Sequence, residues 1–456
     1  MHVLLHKDDV KSSMGWIGLI FLSPFIGTIL YIFFGVNRVK RKGVRLKKKY
    51  NTQIKQSYQM IKNLPKNYNQ FVNFGYNIYQ KKFVSENSVT PLQNGVETYP
   101  EMISEIQNAK KEILISSYIF NYDTETIKFL NAFKIAIKNG VTIKILIDGV
   151  GIINFFRKSI EKKLAKIDGL EYAVFLPPQI PISTIFINLR NHRKAVIIDG
   201  KIAFFGGMNF SRANILINNL KKGILDIMFK INGPIVSQIS EMFKNDWEFA
   251  TGKKFEPILG YEKVNGDNNI IDFFKIPARL ISDGPDNKND VIELMIRGAI
   301  NTALNKITIV TPYFLPENNI LTALEIASMK GVKIEIIIPD KTDYLFINYA
   351  VRANFQRLVE KGIKIYRTTL PFDHSKFFLI DNEWVFIGSS NWDVRSLKLN
   401  FESNIEIFSK ELATRLNEII KKKKEKAKLT TIYECTNLSI LKRIRNNVCK
   451  LITPYG

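Results

Sequence analysis

One short pattern of residues occurs twice in this chain with the same internal spacing, and it constrains the fold more than any other feature. The first copy reads His192-Arg193-Lys194, then Asp199, then Gly206-Gly207-Met208-Asn209. The second copy reads His374-Ser375-Lys376, then Asp381, then Gly388-Ser389-Ser390-Asn391. Two of the chain's four histidines therefore occupy equivalent positions. The same local structure must build both copies, which indicates an internal repeat.

Each copy predicts a β-hairpin. The turn residues Asp199-Gly200 separate the apolar runs 195–198 and 202–205, and Asp381-Asn382 separate the runs 377–380 and 384–387. Short apolar runs separated by Asp, Asn and Gly are typical of hairpins. Asp199 and Asp381 complete the repeated catalytic motif in this prediction, although their place in a turn favours a structural role over direct chemistry.

The surrounding sequence alternates helices and strands in both halves. A predicted helix over 124–138 and strand over 142–147 correspond to a helix over 319–330 and a strand over 333–338. A duplication with a repeat length of about 190 residues explains this correspondence. The predicted fold class is α/β, with two similar lobes, residues 87–260 and 273–425, related by pseudo-twofold symmetry.

The N-terminal region predicts a membrane anchor. No charged residue lies between Lys11 and Arg38, and residues 16–36 are mostly large and apolar. Because about 20 such residues cross the hydrocarbon core as a helix, we predict a short segment over 1–13 and a transmembrane helix over 14–37. A basic juxtamembrane segment over 38–86 follows, and the positive-inside rule then places both lobes in the cytoplasm.

The C-terminal residues 426–456 form a basic tail. Its apolar residues recur with the spacing of a helix and alternate with Lys and Arg. A helix of this kind either lies on a membrane surface or packs on the second lobe, and the sequence leaves both alternatives open.

The charge balance indicates a polyanionic partner. The chain has 66 Lys and Arg against 42 Asp and Glu, a formal net charge of +24. Either nucleic acid or a membrane with anionic lipids would suit this surplus, and the alternative is a Lys-rich composition without such a partner. The only cysteines, Cys435 and Cys449, form no framework of disulfides, which favours a reducing compartment.

The repeated motif has the side chains that phosphodiester chemistry requires. Along an extended strand His192 and Lys194 point to one side, and so do His374 and Lys376. If the two lobes face each other, one pocket contains two imidazoles and two ammonium groups. One imidazole can then attack phosphorus while the other protonates the leaving alkoxide. Since the ammonium groups supply the positive charge, we predict neither a metal nor a cofactor.

Three further residues are predicted to bind the substrate. Asn209 and Asn391 end the two copies, and their amides can donate to phosphate oxygens and stabilise charge in the transition state. Ser389 is small and lies where a ligand would approach the backbone.

A nucleophilic imidazole also needs an acceptor for its far nitrogen. Glu402 lies in a strand-like segment after the second copy and is the candidate partner of His374. Asp226 lies after the first copy and is the candidate partner of His192.

At this point the chain resembles the phospholipase D superfamily, whose mark is this His-Lys-Asp motif used twice, and more closely the bacterial cardiolipin synthases. Residues 15–38 are similar to that family's second membrane helix. Thr311-Pro312-Tyr313-Phe314 is similar to the family's second half, and the segments more specific to this branch are Arg395-Ser396-Leu397 and Asn400-Phe401-Glu402.

The resemblance implies a transfer reaction in which two phosphatidylglycerols give cardiolipin and glycerol. By analogy His192 is the nucleophile that forms a phosphatidyl-histidine, and His374 is the general acid and base. The implied partners are phosphatidylglycerol and anionic membrane lipids, without nucleic acid, at the inner membrane of a bacterium. The family usually has two N-terminal membrane helices, and this chain starts where the first would end.

Three other functions fit parts of the sequence. A phospholipase D that hydrolyses lipid would use water at the same intermediate. A membrane-tethered nuclease of the superfamily would suit the positive charge. A lipid-binding scaffold without activity is disfavoured, because binding alone would not need two titratable imidazoles.

Overall fold

The computed structural model describes residues 2–6, 10–31, 60–149, 158–177, 190–216, 223–255, 270–272, 275–285 and 290–452. The N-terminal part consists of three helices: α1 (His2–His6), α2 (Val10–Leu22) and α3 (Pro24–Leu30). The single helix predicted over 14–37 is thus interrupted, because Ser23 leaves the helical conformation (φ −144°, ψ 77°) and Pro24 begins a new helix. Residues 32–37 lie outside the described ranges. Within those ranges, no helix has the length and apolar character needed to span a membrane.

A short segment precedes the first lobe and consists of β1 (Met60–Lys62) and α4 (Lys66–Tyr79). It packs on lobe 2, because Tyr68 and Phe71 belong to the same buried cluster as Trp384, and the rings of Phe71 and Trp384 lie 5.5 Å apart. Arg279, fully buried and paired with Glu406, donates to the carbonyl of Val72 at 3.3 Å. Part of the predicted juxtamembrane segment is therefore folded against the second half of the chain.

Lobe 1 is built on a sheet of seven strands in the order β2-β9-β7-β6-β3-β4-β5. Its elements are β2 (Ser88–Gln93), α5 (Asn94–Asn108), β3 (Glu112–Ser117), α6 (Thr124–Lys138), β4 (Thr142–Asp148), α7 (Lys158–Leu164), β5 (Leu170–Phe175), β6 (Ala195–Ile198), β7 (Ile202–Gly206), a 3₁₀ turn (Arg212–Asn214), β8 (Ile224–Leu225), β9 (Ile227–Asn232) and α8 (Ile235–Thr251). Strands β3, β4 and β5 are parallel, and β6 and β7 form the predicted hairpin. Strand β10 (Ile270–Asp272) follows and pairs with β1.

Lobe 2 repeats this sheet with the order β11-β20-β18-β17-β12-β14-β15, and β21 is added at the edge. Its elements are β11 (Ala278–Asp283), α9 (Val291–Thr302), β12 (Lys306–Val310), β13 (Phe314–Leu315), α10 (Asn318–Met329), β14 (Lys333–Pro339), α11 (Leu345–Arg352), α12 (Phe355–Val359), β15 (Lys364–Thr368), β16 (Phe372–Asp373), β17 (Phe377–Ile380), β18 (Trp384–Gly388), β19 (Trp392–Asp393), α13 (Val394–Lys398), β20 (Glu402–Phe408) and α14 (Lys410–Glu425). The tail adds β21 (Ala427–Leu429), α15 (Ile432–Thr436) and α16 (Ile440–Ile452). The predicted α/β fold with two sheet-containing lobes is confirmed.

The two lobes share one hydrophobic core. A single cluster of buried residues contains Leu114, Phe205 and Phe243 of lobe 1 together with Phe377 and Ile405 of lobe 2. Because this contact buries large apolar side chains of both lobes at once, the hydrophobic effect fixes their relative position.

Two backbone pairings also cross between the lobes. Strand β8 of lobe 1 pairs in parallel with β16 of lobe 2, and the N–H of His374 donates to the carbonyl of Leu225 at 2.7 Å. On the other side, the N–H of His192 donates to the carbonyl of Phe401 at 2.9 Å. Each motif histidine is therefore hydrogen-bonded through its own backbone to the opposite lobe.

Asp199 and Asp381 lie in the hairpin turns and bind backbone rather than the motif side chains. The Asp199 carboxylate accepts from the N–H groups of Lys110, Lys111 and Glu112 at 2.7 to 3.0 Å. Asp381 accepts from three consecutive N–H groups in the same way, those of Leu304, Asn305 and Lys306. Both aspartates have a left-handed backbone, with φ of 52° and 51°. Each carboxylate therefore anchors the start of a central strand to the hairpin, which agrees with the structural role that their place in a turn favours.

We expect Asp199→Ala to destabilise the protein without removing its chemistry. The substitution leaves three N–H groups without their acceptor, which costs on the order of 2 kcal/mol in the free energy of unfolding. Urea unfolding in detergent measures this loss, with Asp168→Ala, an exposed aspartate of the same lobe, as the matched control. Unchanged stability together with loss of activity per folded molecule would instead place Asp199 in the catalytic machinery.

Candidate active site

His192 lies at the end of a short extended segment that leads into β6. Its Nδ1 lies 3.0 Å and 3.1 Å from the two carboxylate oxygens of Glu402, which belongs to lobe 2. The Tyr118 ring packs edge-on against the imidazole, with ring centroids 5.0 Å apart. Lys194 lies on the same side, and its Nζ donates to the carbonyl of His192 at 2.6 Å. The prediction that His192 and Lys194 point to the same side of the chain is thus confirmed for this copy.

Glu402 is completely buried and held by three donors besides the imidazole. The Ser389 hydroxyl donates to one carboxylate oxygen, while the Ser396 hydroxyl at 2.7 Å and the Asn400 amide at 3.3 Å donate to the other. Burial alone would raise the pKa of this carboxyl, but His192 and the other neighbouring donors and cations hold it below its ordinary value. Glu402 therefore stays ionised and fixes the imidazole.

His374 has an equivalent arrangement, in which the carboxylate belongs to an aspartate instead of a glutamate. Its Nδ1 lies 2.8 Å from Asp226 Oδ2, and Asp226 belongs to lobe 1. The Lys376 Nζ lies 3.0 Å from both ring nitrogens and donates to the carbonyl of His374 at 2.7 Å. Gly207 borders the carboxylate so closely that a Cβ there would lie 2.9 Å from Asp226 Oδ1. Lobe 1 thus has glycine where lobe 2 has the serine that donates to Glu402.

The two carboxylates serve the opposite histidines from those predicted. Glu402 binds His192 and Asp226 binds His374, so each imidazole is oriented by the other lobe. The reason is the backbone pairing between lobes. Strand β16 brings His374 beside the residue after β8, and the pairing of residues 190–192 with Phe401 brings His192 beside the residue that follows Phe401.

All four motif side chains share one electrostatic environment. Burial lowers the pKa of His192 to about 4, and the Lys194 and Lys376 cations reinforce this against the attraction of Glu402. The pKa of His374 is also lowered, by burial and by the Lys376 and Lys194 cations, against the opposing Asp226. The charge of each lysine acts on the histidine of the other lobe, and each histidine contacts a carboxylate of the other lobe, so the two motif copies lie close together where the lobes meet.

Burial also disfavours the protonated form of both lysines. It lowers the pKa of Lys194 to about 7 and that of Lys376 to about 8, although Glu402 and Asp226 oppose the shift. An anionic phosphodiester in the cleft would favour the charged lysines and raise both pKa values again. Without substrate, both histidines are uncharged at neutral pH, and a proton on Nδ1 donates to the carboxylate. The lone pair of Nε2 is then the reactive one, and in His374 this nitrogen lies 3.0 Å from Lys376 Nζ.

The asparagines and Ser389 differ in what they contact. Asn209 Oδ1 accepts from the N–H of Ile119 at 3.1 Å, which fixes the amide. Asn391 Oδ1 is buried and has no hydrogen-bond partner among the described residues. Ser389, predicted to bind substrate, is almost fully buried and donates its hydroxyl to Glu402. Ser389 therefore positions the carboxylate, because the glutamate lies between this hydroxyl and the imidazole of His192.

Several residues that support the site carried no predicted role. Ser396 and Asn400 lie in the two branch-specific segments, so their sequence context contained a signal, but no spacing pattern identified them as ligands of Glu402. Arg193 turns away from the cleft and pairs with Asp246, while its guanidinium also donates to the carbonyl of Glu402 at 3.1 Å. This buried arginine therefore holds the backbone of β20 at Glu402 in place.

A duplicated α/β fold with two such histidine–lysine pairs in one cleft defines the phospholipase D class of phosphodiester-transferring enzymes. A family model described as cardiolipin synthase, PLD-like domain, matches residues 102–247 and 296–424, and one described as phospholipase D-nuclease N-terminal matches residues 1–35. The chain therefore belongs to the family of cardiolipin synthases with phospholipase D-like domains.

Individual relatives agree with this assignment. The chain is 29% identical to a cardiolipin synthase of Clostridium perfringens strain SM101, covering 99% of this chain and 95% of the relative. It is 28% identical to a cardiolipin synthase of Geobacillus kaustophilus, covering 99% and 90%. The crystal structure of phosphatidylserine synthase from Haemophilus influenzae has the same fold, with a TM-score of 0.66 at 15% identity over 85% of this chain and 100% of that one.

We expect the pH profile of kcat/KM to reflect the shifted pKa values of the cleft. Below about pH 4, protonation of His192 removes the nucleophile. The alkaline fall has two parts: deprotonation of His374, the expected general acid, whose pKa burial lowers, and, above about pH 7, deprotonation of Lys194, which removes a charge that holds the substrate. The alkaline fall of kcat should lie at higher pH, since bound phosphate raises the lysine pKa. Rates in mixed micelles of phosphatidylglycerol and neutral detergent measure both profiles.

The matched variants for this profile are Lys194→Arg and Lys201→Arg. Arginine stays charged, so Lys194→Arg should remove the part of the alkaline fall of kcat/KM that begins near pH 7. Lys201 is exposed in the same hairpin, and its substitution should leave the profile unchanged. An identical shift in both variants, or none in either, would contradict the role of Lys194.

Proposed function

We propose that the protein transfers a phosphatidyl group from one phosphatidylglycerol to a glycerol hydroxyl of a second, giving cardiolipin and glycerol. The observation that carries this proposal is the crossed arrangement of the cleft, in which each imidazole is held by a buried carboxylate of the other lobe. Two imidazoles on one phosphodiester suit a double displacement, and the cardiolipin synthase family membership supplies the lipid class.

In the first step His192 Nε2 attacks the phosphorus of the donor lipid. A P–N bond forms, the P–O bond to the headgroup glycerol breaks, and protonated His374 gives its Nε2 proton to the departing oxygen. The imidazolium formed at His192 is stabilised by the Glu402 carboxylate at Nδ1. The product of this step is a phosphatidyl-histidine and free glycerol.

In the second step neutral His374 takes the proton from a glycerol hydroxyl of the incoming phosphatidylglycerol. The resulting oxygen attacks phosphorus, the P–N bond breaks, and His192 is released neutral. His374 is again protonated, so the cycle closes without any other reactant. Binding of the anionic donor and the Asp226 carboxylate favour the protonated state of His374 at the start of the cycle.

Three features favour His192 over His374 as the nucleophile. Its pKa of about 4 keeps the imidazole unprotonated and nucleophilic at neutral pH. Its carboxylate has donors from Ser389, Ser396 and Asn400, which fix Glu402 in one orientation. The resemblance to the superfamily gives the same order of roles.

The lysines and asparagines have the complementary role of holding the phosphate. Lys194 and Lys376 supply positive charge to the non-bridging oxygens, and the Asn209 and Asn391 amides supply directed hydrogen bonds. Because the lysines are buried, their charges are weakly screened and act strongly on the phosphorane-like transition state.

The proposed setting is the inner membrane of a bacterium, with both lobes on the cytoplasmic side. The apolar stretch over 14–37 would anchor the chain, and the basic residues over 38–49 would contact anionic headgroups. The match of residues 1–35 to the phospholipase D-nuclease N-terminal family supports a functional N-terminal segment.

We expect vesicles of phosphatidylglycerol to yield cardiolipin and glycerol in equal amounts, also with EDTA present. His192→Ala and His374→Ala should each reduce the rate by a factor of 10³ or more, since both steps use both imidazoles. Thin-layer chromatography of the lipids and an enzymatic glycerol assay measure the products. Accumulation of phosphatidic acid would indicate hydrolysis, and cleavage of DNA without a lipid product would indicate a nuclease.

The crossed pairs give a sharper test of the two roles. Asp226→Asn should leave a phosphatidyl-enzyme that turns over slowly. Loss of the carboxylate makes His374 a weaker base for the second step, but it does not weaken the protonated imidazole as the acid of the first step. Glu402→Gln should impair His192 and leave no such intermediate. Acid quenching with radiolabelled lipid and denaturing gel electrophoresis measures the covalent label. Label in Glu402→Gln but not in Asp226→Asn would make His374 the nucleophile.

A further inference from the structure

Helix α16, near the end of the tail, packs on lobe 2 with its polar side. Asn446 is 2% exposed, and the Arg445 guanidinium lies 3.5 Å from the centroid of the Tyr349 ring in α11. Cys449 is partly buried against the core of lobe 2. The alternative in which the tail packs on the second lobe is therefore confirmed for this helix.

The other side of α16 is apolar and faces solvent. Ile440, Leu441, Ile444, Val448 and Leu451 are 73%, 76%, 54%, 47% and 75% exposed. At 3.6 residues per turn these five side chains fall within an arc of roughly 100° on one face of the helix. A surface helix normally turns its apolar side to the core, so this helix has the reverse orientation. An exposed apolar stripe of this length marks a surface that contacts something else.

The charges of the helix identify what it contacts. Its sequence, ILKRIRNNVCKLI, contains four basic residues and no acidic one. A second copy of this chain would bring the same cations against these, and nucleic acid would gain nothing from five aliphatic side chains. An anionic bilayer satisfies both features, because headgroups attract the basic residues while the acyl boundary accepts the apolar face.

The helix that supports α16 connects this face with the active site. Helix α11 begins at Leu345, which is 66% exposed, next to Tyr344, which is 53% exposed. The preceding residue, Asp343, accepts a hydrogen bond from Tyr313 at 2.6 Å. Tyr313 packs near Phe372, whose ring lies 5.9 Å from that of His374. A short series of contacts thus joins α11, the helix on which α16 packs, to His374 of lobe 2.

We propose that α16 is an interfacial helix that lies flat on an anionic bilayer and holds lobe 2 against it. The five apolar side chains enter the boundary between headgroups and acyl chains, and the docked side with Asn446 keeps the helix attached to α11. The inference extends the proposed function, because it gives the cleft a defined orientation toward lipid substrates, but membrane contact by α16 can be measured without turnover.

The experiment places a fluorescent reporter on α16 in the full-length protein. In a Cys435→Ser, Cys449→Ser and His192→Ala background, Ile444→Cys is labelled with an environment-sensitive dye, and Thr414→Cys, an exposed position on α14, is the control. Proteoliposomes contain phosphatidylcholine with or without phosphatidylglycerol, plus lipids that carry a quencher. The inactive background keeps turnover from changing the lipid composition.

We expect quenching at position 444 to be at least threefold stronger than at position 414, with a blue-shifted emission that depends on phosphatidylglycerol. Equal quenching at both positions would overturn the proposal, whatever the activity of the enzyme. A dye at 444 that is shielded equally in detergent and in liposomes would also overturn it, since this would indicate a protein contact.

An activity test uses paired substitutions in the otherwise native chain. Leu441→Ser with Ile444→Ser should raise the KM for phosphatidylglycerol in vesicles at least fivefold and leave kcat within twofold. The control pair is Ile326→Ser with Met329→Ser, exposed apolar residues of α10. Thermal unfolding should change little in either pair, because all four residues are between 42% and 76% exposed. Equal effects of the two pairs on KM would contradict a specific role of α16.

Discussion

The structure depends on two backbone pairings that cross between the lobes. Strand β8 pairs with β16, and the segment before His192 pairs with Phe401. Each pairing places a motif histidine beside the residue that carries the opposite lobe's carboxylate. Neither lobe alone would contain a complete imidazole–carboxylate pair, so the shared hydrophobic core between the sheets is also what assembles the active site.

Burial disfavours the charged form of histidine, lysine and glutamate in this cleft, and the neighbours of each group decide whether it stays charged. It favours neutral histidines, which suits a nucleophile, and it lowers the pKa of both lysines toward neutrality. Glu402 remains ionised because His192, the Lys194 cation and the Ser389 hydroxyl together offset the effect of its burial. With a pKa of about 7, Lys194 is only partly protonated at neutral pH, and an anionic phosphodiester in the cleft would favour its charged form. Substrate binding and lysine protonation are thus coupled.

Features set by local sequence patterns could be predicted from the sequence, whereas the side-chain partners that depend on how the strands and lobes pack together could not. The hairpins and a helix over 124–138 were accessible because their periodicity and turn residues are local, and that helix has the same bounds in the structure. The partners of His192 and His374 were exchanged, because only the strand pairings between lobes decide which carboxylate is adjacent. Ser389 was misassigned for the same reason, since its acceptor lies on a neighbouring strand. The break at Ser23 follows from Pro24, a local signal that the apolar run concealed.

The most direct test of the crossed cleft is the imidazole nitrogen spectrum of the protein labelled with ¹⁵N-histidine, which contains only four histidines. We expect both motif histidines to be neutral at pH 7 with the proton on Nδ1. Glu402→Gln should shift the resonances of His192 and leave those of His374 nearly unchanged, and Asp226→Asn should do the reverse. If Glu402→Gln instead perturbed His374 alone, each carboxylate would serve its own lobe and the account of a shared, crossed active site would be wrong.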